Sequence, residues 1–227
     1  MTFKQRPVYQ PYFEDLQRLQ EDEVRYYAVG GVRYPSVTSV ISFISREKFA
    51  DWRARVGEKE ANRKTKRATT RGTRLHSVFE NYLLNKEYQT LEEYSHPMIE
   101  WMFKAAKPHL DKRINNIYLQ ETSMSSSRLC LAGTVDLICE VDGELAVVDF
   151  KTSEKEKPEE WLEDYFVQLS AYWAMFSEAT GVTPKKLVVF LVGENGDVQI
   201  VERRNIMDYL TTLRDYVSRF IQYRDAT

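Results

Sequence analysis

Residues 132–152 read AGTVDLICEVDGELAVVDFKT. Two runs rich in β-branched and apolar residues, Val135–Val141 and Glu144–Lys151, flank Asp142-Gly143. An Asp-Gly pair between two such runs predicts a two-residue hairpin turn. The turn sets the register of everything beyond it. With Val141 opposite Glu144, Ile138 faces Val147 and Asp136 faces Asp149. The two carboxylates then share one face, with Cβ atoms about 4.5–5.5 Å apart. Lys151, two residues past Asp149, points the same way.

Like charges directly opposed destabilise a sheet. Either one carboxylate holds a proton, or a cation lies between the two. Oxygen ligands on a rigid hairpin suit a hard cation such as Mg²⁺ or Mn²⁺. The nearby lysine adds a donor and a positive charge, and such a group is suited to hydrolysing a phosphodiester. The plain alternative is a pair of solvated aspartates on an open sheet face.

The chain has 227 residues, enough for one domain with a substantial core. No run of about 18 apolar residues is present, so no membrane span is expected. The first residues, MTFKQRPVYQPYFEDL, lack an apolar segment and carry acids, unlike a signal or transit peptide. A cytoplasmic protein, bacterial or phage-encoded, is the expectation. The two cysteines, Cys130 and Cys139, fall in predicted strands and read as small buried hydrophobes. Two thiols cannot build a four-cysteine site, so no iron–sulfur cluster is expected.

Net charge is only −2, but it is unevenly spread. Residues 46–74 hold eleven lysines and arginines against four acids, which points to an anionic partner. The residues expected to bind nucleic acid are Arg53, Arg63, Lys64, Lys66, Arg67, Arg71, Arg74 and Trp52. Cations interleaved with aromatics suit a groove for single-stranded nucleic acid. A solvated helix laced with local ion pairs, with Trp52 as a core anchor, is the bland counterpart.

In chain order, Tyr9, Tyr12, Phe13 and Leu16 suggest a short amphipathic helix, and Gly30-Gly31 a small hairpin. Ser36 is a fair N-cap for a helix starting at Val37. A helical stretch over 48–66 has Gly57 as its weak point, and a separate helix follows over 69–84. On the latter, Leu75, Val78, Phe79, Tyr82 and Leu83 make an apolar stripe, and His76 and Glu80 share a face. Further helices are expected over 97–113, 158–180 and 206–223. Strands are expected over 114–122, 128–132 and 197–202, and a buried strand, of the kind parallel sheets contain, over 186–192. On the 158–180 helix, Tyr165, Gln168 and Tyr172 form one stripe. The fold class is therefore α/β (α+β), with a central mixed β-sheet flanked by helices. Residues 1–115 would form a mainly helical annex and 116–227 the core of a single domain.

Several of these segments resemble a known family. Gly133-Thr134-Val135-Asp136 followed by Asp149-Phe150-Lys151-Thr152 resembles the two core motifs of the PD-(D/E)XK nuclease superfamily. Arg71-Gly72-Thr73-Arg74-Leu75-His76, with Glu80 after it, is similar to the upstream histidine motif of the RecB-type branch. Gln168-Leu169-Ser170-Ala171-Tyr172 resembles that branch's QxxxY motif. Tyr34-Pro35-Ser36-Val37-Thr38 is similar to a signature among relatives of the mitochondrial genome maintenance exonuclease. Any one motif is weak; the four between about 70 and 180, in order, are specific together, and the Tyr34–Thr38 segment is less so.

The resemblance implies a restriction-endonuclease-like core. It implies that His76, Asp136, Asp149 and the Phe150 carbonyl ligate Mg²⁺ or Mn²⁺, with Glu80 at a second metal or supporting His76. Lys151 would orient or activate the attacking water. Gln168 and Tyr172 would hold the DNA backbone or the lysine, and Glu121 would approach from the preceding strand. The implied activity is exonucleolytic, on single-stranded or flap DNA. A structure-specific endonuclease, a duplex-degrading recombination exonuclease and an inactive binding module stand as alternatives. With no helicase portion in these residues, a helicase, polymerase or single-strand-binding partner would supply the single strand.

Overall fold

The structure, a computed structural model, describes residues 2–226. Its centre is a six-stranded sheet of β1 (Lys4–Gln5), β5 (Ile114–Ser126), β6 (Leu131–Val141), β7 (Glu144–Ser153), β8 (Lys186–Gly193) and β9 (Val198–Arg203), in that spatial order. Pairing is mixed: β1–β5 and β7–β8 are parallel, the other neighbours antiparallel. A separate antiparallel sheet joins β2 (Gln17–Glu21), β3 (Val24–Val29) and β4 (Val32–Pro35).

Helices cover both faces of the main sheet. Every residue of β8 is buried, and alternate side chains serve opposite layers. Leu187, Val189 and Leu191 pack with α4 (Glu163–Thr180) and α5 (Ile206–Ala226). Val188, Phe190 and Val192 pack with α2 (Glu58–Leu83) and α3 (Pro97–Arg113). Burial on both sides is why this strand reads as a continuous apolar run rather than an alternating one. α4 makes the crossover that a parallel β7–β8 pair requires.

The Asp142-Gly143 turn forms as its sequence demands, with φ of 52° and 82°. Ser36 caps α1 (Val37–Val56), its Oγ accepting the Ser39 N–H at 3.0 Å.

Elsewhere the structure corrects the sequence reading. Residues 7–12 form a 3-10 turn, not an amphipathic α-helix, and residues 4–5 and 17–21 are strands. Pro7 and Pro11 disfavour a regular α-helix there, and the Tyr9 ring instead packs edge-on against Phe176, with centroids 5.1 Å apart. Residues 1–115 are mostly helical through α1, α2 and α3, but β1 joins the main sheet and β2–β4 form the separate one. α2 is one helix from Glu58 rather than two meeting near residue 69. β5 runs on to Ser126, and residues 127–130 are the turn into β6. Cys130 therefore sits exposed in a turn with φ of 53°, whereas Cys139 is buried.

Candidate active site

The site forms where β5, β6 and β7 pass between α2 and α4. The β6–β7 ladder follows the register set by the turn as far as Leu137↔Val148 and stops there. One step on, the Phe150 N–H donates to Asp136 Oδ2 at 2.8 Å. The aspartate side chain thus takes a backbone donor from the neighbouring strand. The ladder ends before it reaches an Asp136–Asp149 pair.

On the other side of β6, Glu121 lies across from Asp136, between the pairs Gln120↔Leu137 and Thr122↔Val135. Its φ of 45° breaks the regular strand. His76, Glu121 and Asp136 each offer a donor atom, and these atoms lie within 4.8 Å of one another. His76 Nε2 is 2.7 Å from the Phe150 carbonyl oxygen, and Nδ1 is 3.6 Å from Asp136 Oδ2. A carbonyl only accepts, so this contact places the proton on Nε2 and leaves Nδ1 facing the carboxylate. Asp149 and Glu80 stand outside this three-residue group, although Glu80 is close enough to Glu121 to raise its pKa.

Asp149 is instead the partner of the lysine. It is 1% exposed, and Lys151 Nζ lies 2.6 Å from its Oδ1 and 2.5 Å from its Oδ2. Gln168 Nε2 donates to Asp149 Oδ1 at 3.0 Å. Desolvation pushes the Asp149 carboxyl up to about 6 against the pull of Lys151. For Lys151 desolvation opposes the charge, but Asp149 and Asp136 outweigh it and raise its pKa. The lysine is therefore an ammonium at neutral pH, a donor rather than a base. Burial, then Asp136 and Asp149, raise the Tyr172 phenol far above its usual range, so it too stays protonated.

Desolvation, then the charges of Asp136, Glu80 and Asp149, push the Glu121 carboxyl up to about 8. The residue as a whole keeps access to solvent. Among the described residues neither Glu121 nor Asp136 forms an ion pair with a lysine or arginine. Carboxylates crowded beside an imidazole, without a cationic side chain of their own, fit a hard divalent cation, whose charge would reverse the upward shift. Nδ1 of His76 and the oxygens of Asp136 and Glu121 would hold it. The Nε2–H contact to Phe150 would fix the ring.

The N-terminal Tyr34–Thr38 segment also reaches this region. Ser36 bridges to Ala132, and Tyr27 Oη is 3.1 Å from Thr134 Oγ1.

The basic segment does not line one groove. At about 100° per residue, α2 presents Lys64, Thr65, Ala68 and Thr69 to the site side and Arg63, Lys66, Arg67, Thr70 and Arg74 to the far side. The site side borders a cleft of about 590 Å³ with Phe49, Trp52, Thr152, Trp161 and Tyr165. The rings of Phe49 and Trp52 stack there at 5.3 Å. Arg53 is engaged by Glu58 and Asn62, and Arg63 by Glu60. Arg71 is not a free groove cation. It is buried, donating to Thr152 Oγ1 at 3.0 Å and pairing with Glu194, which Arg67 also holds. Glu194 was invisible to sequence reasoning, because its partners lie more than 120 residues away.

Comparison with known proteins bears on the same residues. The family model of the PD-(D/E)XK nuclease superfamily matches residues 49–224. Mitochondrial genome maintenance exonuclease 1 of Homo sapiens is 29% identical over 132 residues, covering 55% of this chain and 38% of the human protein. The match thus spans well under half of that relative's length. The crystal structure of a candidate exonuclease from Eubacterium rectale superposes with a TM-score of 0.50 at 14% identity, covering 70% of this chain and 68% of that one. At that identity the likeness concerns the fold.

Proposed function

This chain belongs to the PD-(D/E)XK nuclease superfamily, and on that premise we propose that it is a divalent-metal-dependent DNA exonuclease acting on single-stranded or flap DNA from a free end. The observation that carries the reading is the convergence of His76, Glu121 and Asp136 within 4.8 Å, beside a lysine held by a buried aspartate. Mg²⁺ or Mn²⁺ bound there would draw charge from a phosphate oxygen and lower the pKa of its bound water.

The protein's own groups do the rest. Lys151, positively charged at neutral pH, donates to the phosphate as negative charge builds on it. Asp149 holds the ammonium, and Gln168 holds Asp149. The cleft beside Lys151 offers the paired Phe49 and Trp52 rings, Trp161 and Lys64, which suits unstacked bases and a phosphate backbone. The human relative's name supports end-directed cleavage and a role in genome maintenance, hence DNA repair or recombination. A helicase, polymerase or single-strand-binding partner would deliver the free strand.

The test is cleavage of an end-labelled single-stranded oligonucleotide with Mg²⁺, Mn²⁺ or EDTA, beside a closed circular strand. Metal-dependent loss of the linear strand alone is the expected result. Cutting of the circle would replace the exonuclease reading with an endonuclease. Binding without cleavage under either metal would leave a non-catalytic module.

A further inference from the structure

The far face of α2 carries a second cleft, of about 450 Å³, closed on its other side by the start of α3 at His96, Met98 and Ile99. Arg63, Lys66, Arg67 and Arg74 converge on it, and among the described residues no carboxylate lines it. Glu60 and Glu194 pair with Arg63 and Arg67. Lys66 and Arg74 form no ion pair among the described residues. Cations gathered in a concavity repel one another and focus a positive field that anions relieve. A solvated basic helix face would be convex; here Met98 and Ile99 wall one side of a concavity.

We propose that this cleft is a second phosphate-binding site, which holds the backbone of the same nucleic acid beyond the portion lying in the aromatic cleft. The inference rests on the proposed nuclease function for the identity of its ligand. Two arguments favour a continuous strand over a free nucleotide. Arg71 lines both clefts, so they adjoin across the Arg71–Glu194 pair. The helix between them is about 10 Å thick, a span that a few nucleotides cross. The chemistry also divides: the site-side cleft has four aromatic rings suited to bases, with Lys64, Lys155 and Lys157 balanced by Glu154 and Glu156, whereas the far cleft has no ring but His96 and carries Lys66 and the unpaired fork of Arg74, which suit phosphate.

The test is binding of a fluorescent single-stranded hexamer and 20-mer across a salt series in EDTA, for the wild type and for Lys66→Gln/Arg74→Gln. Each lost phosphate contact lowers the slope of log K against log[salt] by about 0.7 on a single strand. The double variant is expected to lower the 20-mer slope by about 1.4 and its affinity several-fold, with the hexamer little changed. Equal loss for both lengths would overturn the proposal, as would an unchanged 20-mer slope. Competition by free dTMP that disappears in the variant, at an unchanged slope, would make the cleft a nucleotide site and overturn it too. Matching melting curves show that the variant folds. Cleavage of the hexamer by the wild type with Mn²⁺ is scored separately. Its absence would sink the nuclease reading while leaving the slope comparison interpretable.

Discussion

The Tyr172 ring fills the space in front of Gly133: a Cβ on that glycine would lie 2.8 Å from Tyr172 Cε1 and 3.0 Å from its hydroxyl oxygen. Two motifs far apart in sequence are therefore one contact in space. Gly133→Ala should force the buried ring aside, costing about 1–3 kcal/mol as over-packing does, and lower cleavage beyond what the drop in melting temperature explains. Adding Tyr172→Leu should restore the melting temperature without restoring cleavage. An alanine variant that melts and cleaves like the wild type would refute the close approach.

Lys151→Ala should lower the cleavage rate by about 100-fold or more, the scale for losing a donor aimed at developing charge. DNA affinity should barely move if the aromatic and basic clefts supply it as proposed. Gln168→Ala should give a smaller loss through Asp149, partly recovered in Gln168→Asn. Single-turnover rates beside binding isotherms check this; parallel loss of rate and affinity would count against the assigned role of Lys151.

Two carboxyls with raised pKa values give the metal-free protein a pH signature. Asp149 sits at about 6 and Glu121 at about 8, against ordinary values near 4. A carboxyl raised on folding adds stability that is present below its unfolded pKa and lost as pH climbs through its folded pKa. Melting temperature in EDTA should therefore fall between about pH 4 and 8. A metal held by Glu121 would displace its proton, so Mn²⁺ affinity should tighten from pH 6 to 8, by up to about tenfold per pH unit. Glu121→Gln should flatten the upper part of both curves. Thermal melts across pH, with and without Mn²⁺, measure this, and a wild-type profile in the variant would remove Glu121 from the site.

Trp52 faces the cleft beside Lys151 and stacks on Phe49. Trp52→Ala should weaken single-strand binding by about 1–3 kcal/mol, the value of one stacked base, with duplex binding less affected. Equal weakening of both would return Trp52 to the role of a structural anchor.

What the sequence made legible was local. Asp142-Gly143 fixed a turn, and the turn fixed a register that held from Val141↔Glu144 to Leu137↔Val148. The apolar run of β8 declared burial on both faces. The register failed one residue beyond Leu137, where Asp136 accepts the Phe150 N–H, because a side chain competing with the ladder leaves no periodic trace. Glu121 joins the site through a positive-φ break that no pattern marks. The two faces of α2 are different: residues 63, 66, 67, 70 and 74 recur at helical spacing, so the split was readable. Net charge summed over 46–74 hides it, because a sum carries no helical period.

Glu194 supports the site from behind. It is gripped by Arg67 and by the buried Arg71, which also holds Thr152 next to Lys151. Its pKa is lowered: burial works the other way, but both arginines outweigh it. A carboxylate lowered on folding adds stability above its unfolded pKa that is lost as pH falls. Glu194→Gln should therefore destabilise the protein at pH 7, by about 3 kcal/mol if the buried arginine is left uncompensated, and the gap from wild type should narrow below about pH 4. Cleavage should fall with it, because Thr152 and Lys151 are neighbours on β7. Urea melts at pH 7 and pH 4 decide the matter: a difference that stays constant with pH would mean that Glu194 acts by packing rather than by charge.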